Sequence, residues 1–417
     1  MLVNRMIERA RRARLGQRLL RERASAAKDR APVVIVPALF GTRLVNGDGR
    51  VIWGATSNVF FGPSIGGATG VRPAGLLEEL PIIPGVVGQD IHGGLMRYLE
   101  EVGGYRRGED LFSLDYDWRA GVVHAAAQLE ALVRSIRGVG SERVDLAAIS
   151  SGGAVVRYFL AYGGADVLGD PAPAAAARPE GSPAASWVRR VVYIGSPQRG
   201  TFGAPAHLHE GIVFIPGGKH FPSSELALCQ TPFDYLPHPD DPVFVDETGR
   251  VLPHDIYDPE TWIKLGLAGG LKDIDVDDFN ARLKRGRRLH AALDGGAGRH
   301  PDTIVIGGRH QPTRARFLVS RGRAVLPDCD PDKNDPTICF TYVPGDGALP
   351  EASLRAAPGL EDDRLWLVTP KAHHLIPADP DVHRLLVEAL LATDRRIAKT
   401  PLPRQGAELP VLSGDRA

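Results

Sequence analysis

The sequence predicts an α/β chain: a mainly parallel central sheet with helices on both faces and an inserted cap. Three observations carry this. Short apolar runs closed by turn residues recur at 32–37 (PVVIVP), 143–149 (RVDLAAI), 188–194 (VRRVVYI) and 303–307 (TIVIG), as strands buried on both faces do. Helical segments at 91–102, 121–138 and 154–162 fall between them, and such alternation argues for parallel strands joined by crossovers. The alternation lapses over 200–300, which mixes Pro-rich stretches with helical pieces near 259–269 and 276–296, and then resumes. A cap seated over the sheet reads this way.

The remaining elements follow in order. Residues 1–30 hold ten Lys/Arg against three acids, with apolar residues Val3, Met6, Ile7, Ala10, Ala13, Leu19 and Leu20 at roughly helical spacing. This basic arm reads either as a helix docking on an anionic membrane surface or as a solvated helix. The first core segment is 31–199. Within it, 51–85 is rich in Gly, Pro and aromatics without a clear period and reads as a lid loop. The Ala/Pro/Gly-rich stretch 165–186 reads as a flexible insertion. Residues 111–115 (LFSLD) and 364–368 (RLWLV) read as further strands, and 380–397 as a closing helix after Pro-Asp-Pro. The second core segment is thus 301–399, with a polar tail at 400–417.

Composition excludes several classes. The chain of 417 residues is 43% apolar and 24% charged, with 50 basic and 50 acidic side chains. A neutral total argues against nucleic acid as a partner. No apolar run reaches the roughly 18–20 residues of a transmembrane helix, and the N-terminus lacks the apolar stretch of a secretory signal. A cytoplasmic protein, peripheral on a membrane at most, is expected. Three cysteines are too few for a disulfide scaffold; Cys329 and Cys339 lie close enough in sequence to pair, or all three stay reduced.

The chemistry concentrates at 143–160. Ala148-Ile149-Ser150-Ser151-Gly152 runs from a strand into a helix and has the shape of G-x-S-x-G, with Ala at the first small position. In that turn the nucleophile projects above the sheet. The residues two before and two after it nearly touch, so only small side chains fit. A shift to Ser151 puts Ile149 at a small position, which favours Ser150. The plain alternative is an ordinary helix start with a serine cap. The order Ser, Asp, His that the α/β-hydrolase fold requires is completed by Asp346, flanked by Gly345 and Gly347, and by the pair His373-His374 after a strand. Alone, the G-D-G reads as a β-turn or a calcium loop, and the His pair as a surface or metal-tag-like feature. Their order and their places after strands make the case.

These stretches resemble the lecithin:cholesterol acyltransferase-like family of lipases and acyltransferases, which includes lysosomal-type phospholipases and bacterial esterases. PVVIVPALFGTRL (32–44) resembles its oxyanion strand and loop, and Tyr116-Asp117-Trp118-Arg119 its Y-D-W-R. The turn with Gly153 and Arg157-Tyr158 resembles G-H-S-M-G-G-L-V-A-R-Y. GSPQRGTFGA (195–204), GDGALP and HHLIPADPDV match further segments. The resemblance implies Ser150 as nucleophile, Asp346 as acid, His373 rather than His374 as base, and the backbone amides of Leu39 and Ser151 as oxyanion donors. The sequence departs at Ala38, Ala148-Ile149, Ala348-Leu349 and His374, which bears on substrate preference more than on reaction type.

Trp53 is a candidate for touching an acyl chain. Trp118, at the end of a strand, reads mainly as a packing residue, with Arg119 paired to a carboxylate, and is a weaker substrate candidate. His207, His209 and Glu210 have the spacing of a partial metal site without a visible further ligand, so neither metal nor cofactor is expected. The expected activity is hydrolysis of acyl esters, of lipid or phospholipid, through an acyl-enzyme. The alternatives are O-acyl transfer to an alcohol on the same triad, or a non-catalytic chain that binds lipid or a partner.

Overall fold

The computed structural model describes residues 2–27, 30–62, 64–83, 87–169, 182–214, 217–271, 274–294, 297–328, 337–368 and 372–392. Six strands form the central sheet: β1 (Val33–Val36), β2 (Leu111–Ser113), β3 (Val144–Ile149), β4 (Val188–Ile194), β5 (Thr303–Gly308) and β6 (Leu365–Val368). Their order is β6-β5-β4-β3-β1-β2 and every pairing is parallel. The chain winds outward from β1 to β2, then returns to β3 and winds the other way. The reversal leaves a crevice above the C-terminal ends of β1 and β3, where open α/β sheets place their ligands.

The strands are mostly apolar because both faces are covered. Val34, Val36, Leu146, Ala148, Val191, Tyr193 and Val305 face one way and pack with helices α3 (Val122–Gly138) and α4 (Gly152–Tyr162). Val33, Ile35, Ala147, Ile149, Val192, Ile194, Ile304 and Ile306 face the other. That face is closed by α2 (Gly93–Glu101) and α6 (Pro380–Leu391), together with Leu20 and Ala24 of the N-terminal helix α1 (Leu2–Ala26). The basic arm is thus helical and anchored to the sheet at its C-terminal turns, while Leu15 and Leu19 are exposed. Among the described residues, no helix is long and apolar enough to cross a membrane.

Two stretches read without strands contain them. Residues 51–85, expected as a loop, hold a strand at Val51–Trp53, a helix at Thr56–Phe61 and strands at Arg72–Leu76 and Glu79–Ile83. The first and third of these pair antiparallel on either side of Thr42–Val45, with register shifts at Thr42/Leu44 and Leu44/Val45. Such shifts break the two-residue alternation that marks a strand in sequence. Between 200 and 300, short strands at Ile212–Val213 and His220–Phe221 form a hairpin. Phe244–Asp246 pairs in parallel with Phe317–Ser320, which ties the region 200–300 to residues beyond 300. The helix α5 (Val276–Leu293) crosses the same region. Most of the Ala/Pro-rich insertion, the tail and Cys329 lie outside the described residues, and with Cys329 the choice between its pairing with Cys339 and reduced thiols. Cys229 is buried, which pushes its thiol up to about 12.

The opposite edge of the sheet is locked by charge. Asp302, at the start of β5, meets Arg190 of β4 at 2.8 Å and also the guanidinium of Arg364, at the start of β6. Arg190 further donates to the carbonyls of Ala389 and Ala392, and Arg189 to that of Leu390. Cations thereby satisfy the orphan carbonyls at the C-terminus of α6. Burial pushes the Asp302 carboxyl up, but the hydrogen bonds and charges of Arg190 and Arg364 outweigh it and hold it below the usual carboxylate range. A depressed carboxylate stabilises the fold at pH above its unfolded value, and that stabilisation is lost as pH falls through the folded value. Asp302→Asn is therefore expected to cost about 3 kcal/mol at pH 7. In urea denaturation, the gap to wild type should narrow as the pH drops below about 4.

Candidate active site

Ser150 follows β3 directly and has φ 48°, in the left-handed region that a residue with a Cβ seldom occupies. Three neighbours hold it there. The Ser150 amide donates to the Ile194 carbonyl at 2.8 Å. A Cβ on Gly152 would lie 2.4 Å from the Val36 carbonyl oxygen, and one on Gly153 would lie 2.4 Å from Ser196 Cβ. The turn is pressed onto the ends of β1 and β4, and only glycines allow the approach. At the other small position, Ala148 is fully buried and its carbonyl accepts from Ser196 Oγ at 3.2 Å. The helix α4 begins with Gly152, and Ser151 at its cap position makes no side-chain capping bond, so the plain reading as a capped helix start does not describe this turn.

The structure brings the three predicted side chains together from 223 residues apart. Ser150 Oγ lies 3.0 Å from His373 Nε2, and His373 Nδ1 lies 2.8 Å from Asp346 Oδ2. Asp346 is wholly buried. Its second oxygen, Oδ1, accepts from the amides of Ala348 at 3.1 Å and Leu349 at 2.7 Å. A bond from the His373 amide to the Asp346 carbonyl, at 2.8 Å, joins the two loops through main chain as well. Thr313 Oγ1 accepts from the Gly347 amide at 2.9 Å and fixes the acid's loop from below. With Nδ1–H donated to the carboxylate, the Nε2 lone pair faces the serine hydroxyl, the geometry that lets the hydroxyl lose its proton as it attacks. His374 is exposed, and the relay runs through His373.

The turn after β1 carries the expected oxyanion residue. Gly41 donates to the Ala38 carbonyl at 2.9 Å, and Phe40, at φ 66°, takes the position that normally demands glycine. An aromatic cluster holds it. The Phe40 ring lies 5.1 Å from Trp53, 4.5 Å from Trp118 and 4.5 Å from Phe214. The indole N–H of Trp53 donates to the Phe40 carbonyl at 2.8 Å, and that of Trp118 to the Thr42 carbonyl at 3.3 Å. Both indoles are 2% exposed. Trp53, a candidate for touching an acyl chain, and Trp118, read mainly as a packing residue, are both buried supports of the turn, their single donors already used. The Leu39 amide is also occupied: it donates to Ser151 Oγ.

The Tyr116–Arg119 motif explains itself residue by residue. Tyr116 OH donates to the Pro37 carbonyl at 3.0 Å, just before the turn. Trp118 supports the turn from its far side. Asp117 accepts from Arg119, whose guanidinium also donates to the carbonyls of Ile65 at 2.7 Å and Ala68 at 2.9 Å. One short motif thus grips the oxyanion turn on both flanks and straps the segment 65–68 to the core. Sequence reading placed Arg119 against a carboxylate but had no signal for the strap, because carbonyl acceptors carry no side-chain signature.

His207 is half-buried, and the loss of solvent pushes it down to about 4; His209 Nδ1 lies 3.1 Å from the Leu267 carbonyl. Among the described residues, no group of three or more His, Cys, Asp or Glu gathers to hold a metal.

The chain has the α/β-hydrolase fold: a parallel sheet, a strained serine turn after its third strand, and an aspartate and a histidine downstream that meet the serine. Over residues 85–214 the chain matches the model of the family described as Lecithin:cholesterol acyltransferase. That stretch contains Tyr116–Arg119, the Ser150 turn and Gly195–Ala204; Asp346 and His373 lie beyond it. Among solved structures, the chain is similar to the Tle4–Tli4 complex, with 13% identity and a TM-score of 0.55, covering 87% of this chain and 98% of that one. The lipase BlEst2 of Bacillus licheniformis, in its mature form, shares 13% identity with a TM-score of 0.39, over 88% of this chain and 93% of that one. No curated protein matches the chain. The family match supports an acyl hydrolase or acyltransferase in general terms.

Replacing Arg119 by Met keeps the packed stem and removes the strap. Amide hydrogen exchange across residues 64–69 should then accelerate severalfold, with exchange in β3 and β4 unchanged; equal protection of 64–69 in both proteins would show the strap to be inert.

Proposed function

We propose that the protein is a serine lipase or esterase that hydrolyses acyl esters of lipids through an acyl-enzyme on Ser150. The observation that supports this most directly is the continuous relay from Ser150 Oγ through His373 to the buried Asp346. In the first step His373 Nε2 takes the hydroxyl proton while Oγ bonds to the ester carbonyl carbon. The electron pair of the carbonyl moves to its oxygen, and amides at the Leu39 turn and the start of α4 stabilise the charge. The pair returns as the ester C–O bond breaks, and His373 hands its proton to the leaving alkoxide. Water then repeats the sequence in reverse, releasing the acid and restoring the serine. Asp346 holds the imidazole in the required tautomer and offsets its charge.

The family match favours a lipid ester as substrate. Acyl transfer to an alcohol differs only in which nucleophile enters second. Incubation with a panel of phospholipids, acylglycerols and short-chain esters, with an added alcohol, should yield mostly free acid; a majority of transferred ester would reassign the activity to acyl transfer.

Ser150→Ala is expected to lower kcat by roughly 10⁴-fold or more. Asp346→Asn should lower it by about 10⁴-fold, by leaving the imidazole in the wrong tautomer. A fluorophosphonate probe should label wild type and leave Ser150→Ala unlabelled. Unlabelled wild type, with no turnover of any ester, would exclude the reading.

A further inference from the structure

The Leu39 amide, which the proposed mechanism needs for the developing oxyanion, already donates to the side-chain oxygen of Ser151. Ser151 is the residue after the nucleophile and is itself buried. Tyr235 OH donates to the Ser151 carbonyl, and Tyr116 OH donates to the Pro37 carbonyl just before the Leu39 turn. Burial pushes both phenols upward, so both stay O–H donors. Ser151 is thus held through its main chain from the segment 231–235.

We infer that Ser151 is a positioning residue whose hydroxyl closes the oxyanion hole at rest, standing in for the substrate oxygen on the Leu39 amide. A neutral hydroxyl accepts one hydrogen bond from that amide. An oxyanion accepts a charge-assisted bond about twice as strong, so the reacting substrate displaces the hydroxyl by a rotation about its χ1. The resting bond keeps Leu39 N–H aimed into the crevice and supports Phe40 in its strained conformation. It also exacts a toll on every turnover, because the bond must break before charge is received. Tyr235 makes that toll depend on the cap, since motion of residues 231–235 would loosen the Ser151 seat.

The inference rests on Ser150 being the nucleophile, and the test separates the two. The second-order rate of fluorophosphonate labelling is measured on the full chain for wild type, Ser151→Ala, Ser151→Thr and Tyr235→Phe, with melting curves for each. Ser151→Ala should label roughly two- to tenfold faster, the worth of one neutral hydrogen bond. Ser151→Thr keeps the hydroxyl and should label more slowly than Ser151→Ala. Tyr235→Phe keeps the ring, frees the seat and should accelerate labelling in the same direction. Folded Ser151→Ala that labels at the wild-type rate or slower overturns the inference and leaves Ser150 in place. If Ser151→Ala does not fold, an unchanged rate in Tyr235→Phe overturns it instead. Absence of labelling in wild type removes the nucleophile and the inference with it.

Discussion

The strained turn at Ser150 is the constraint around which the upper edge of the molecule is organised. A left-handed serine costs of order 1–3 kcal/mol, and it persists only where the surroundings leave no alternative. Here the surroundings are the ends of three parallel strands. Strand β4 supplies the acceptor for the Ser150 amide, and β1 supplies the carbonyl that Gly152 touches. Ser196, just past β4, fills the space beside Gly153. A parallel sheet with a winding reversal between β1 and β3 delivers these groups to one place without long loops. The second strained residue, Phe40, sits on the other side of the same crevice and is held by aromatic packing rather than by close backbone contact.

Stability and strain occupy opposite ends of the sheet. At the N-terminal edge, Asp302 gathers Arg190 and Arg364, and the arginines of β4 close off the end of α6. These side chains are nearly all buried, and each charge has a partner, the condition under which buried ions are tolerated. At the C-terminal edge the main chain is held in costly conformations and its donors face inward. A sheet pinned at one edge can carry distortion at the other without losing register.

The parts of this design visible in sequence are those written in side-chain periodicity and in turn residues. The runs 188–194 and 303–307 could be assigned because they are buried on both faces, and the Ser150 turn because its geometry admits only small neighbours. Three further features were hidden for physical reasons. The strands within 51–85 are short, antiparallel and bulged, so no alternation survives. Trp53 reads as a ligand contact when only its size and apolar character are known; its buried N–H bond to Phe40 depends on a fold in which residues 13 apart meet. The occupied Leu39 amide is a main-chain donor meeting a serine 112 residues away, and nothing in either residue's identity announces it.

One bond described above governs how this site can fail. The His373 amide donates to the Asp346 carbonyl, so the two loops are stitched by backbone in addition to their side chains. Asp346 and His373 are thereby tied to each other by main chain and side chain alike, whereas Ser150 is held by the ends of β1 and β4. The relay therefore spans two separately anchored parts of the chain, and its length is set by how the two are seated on each other.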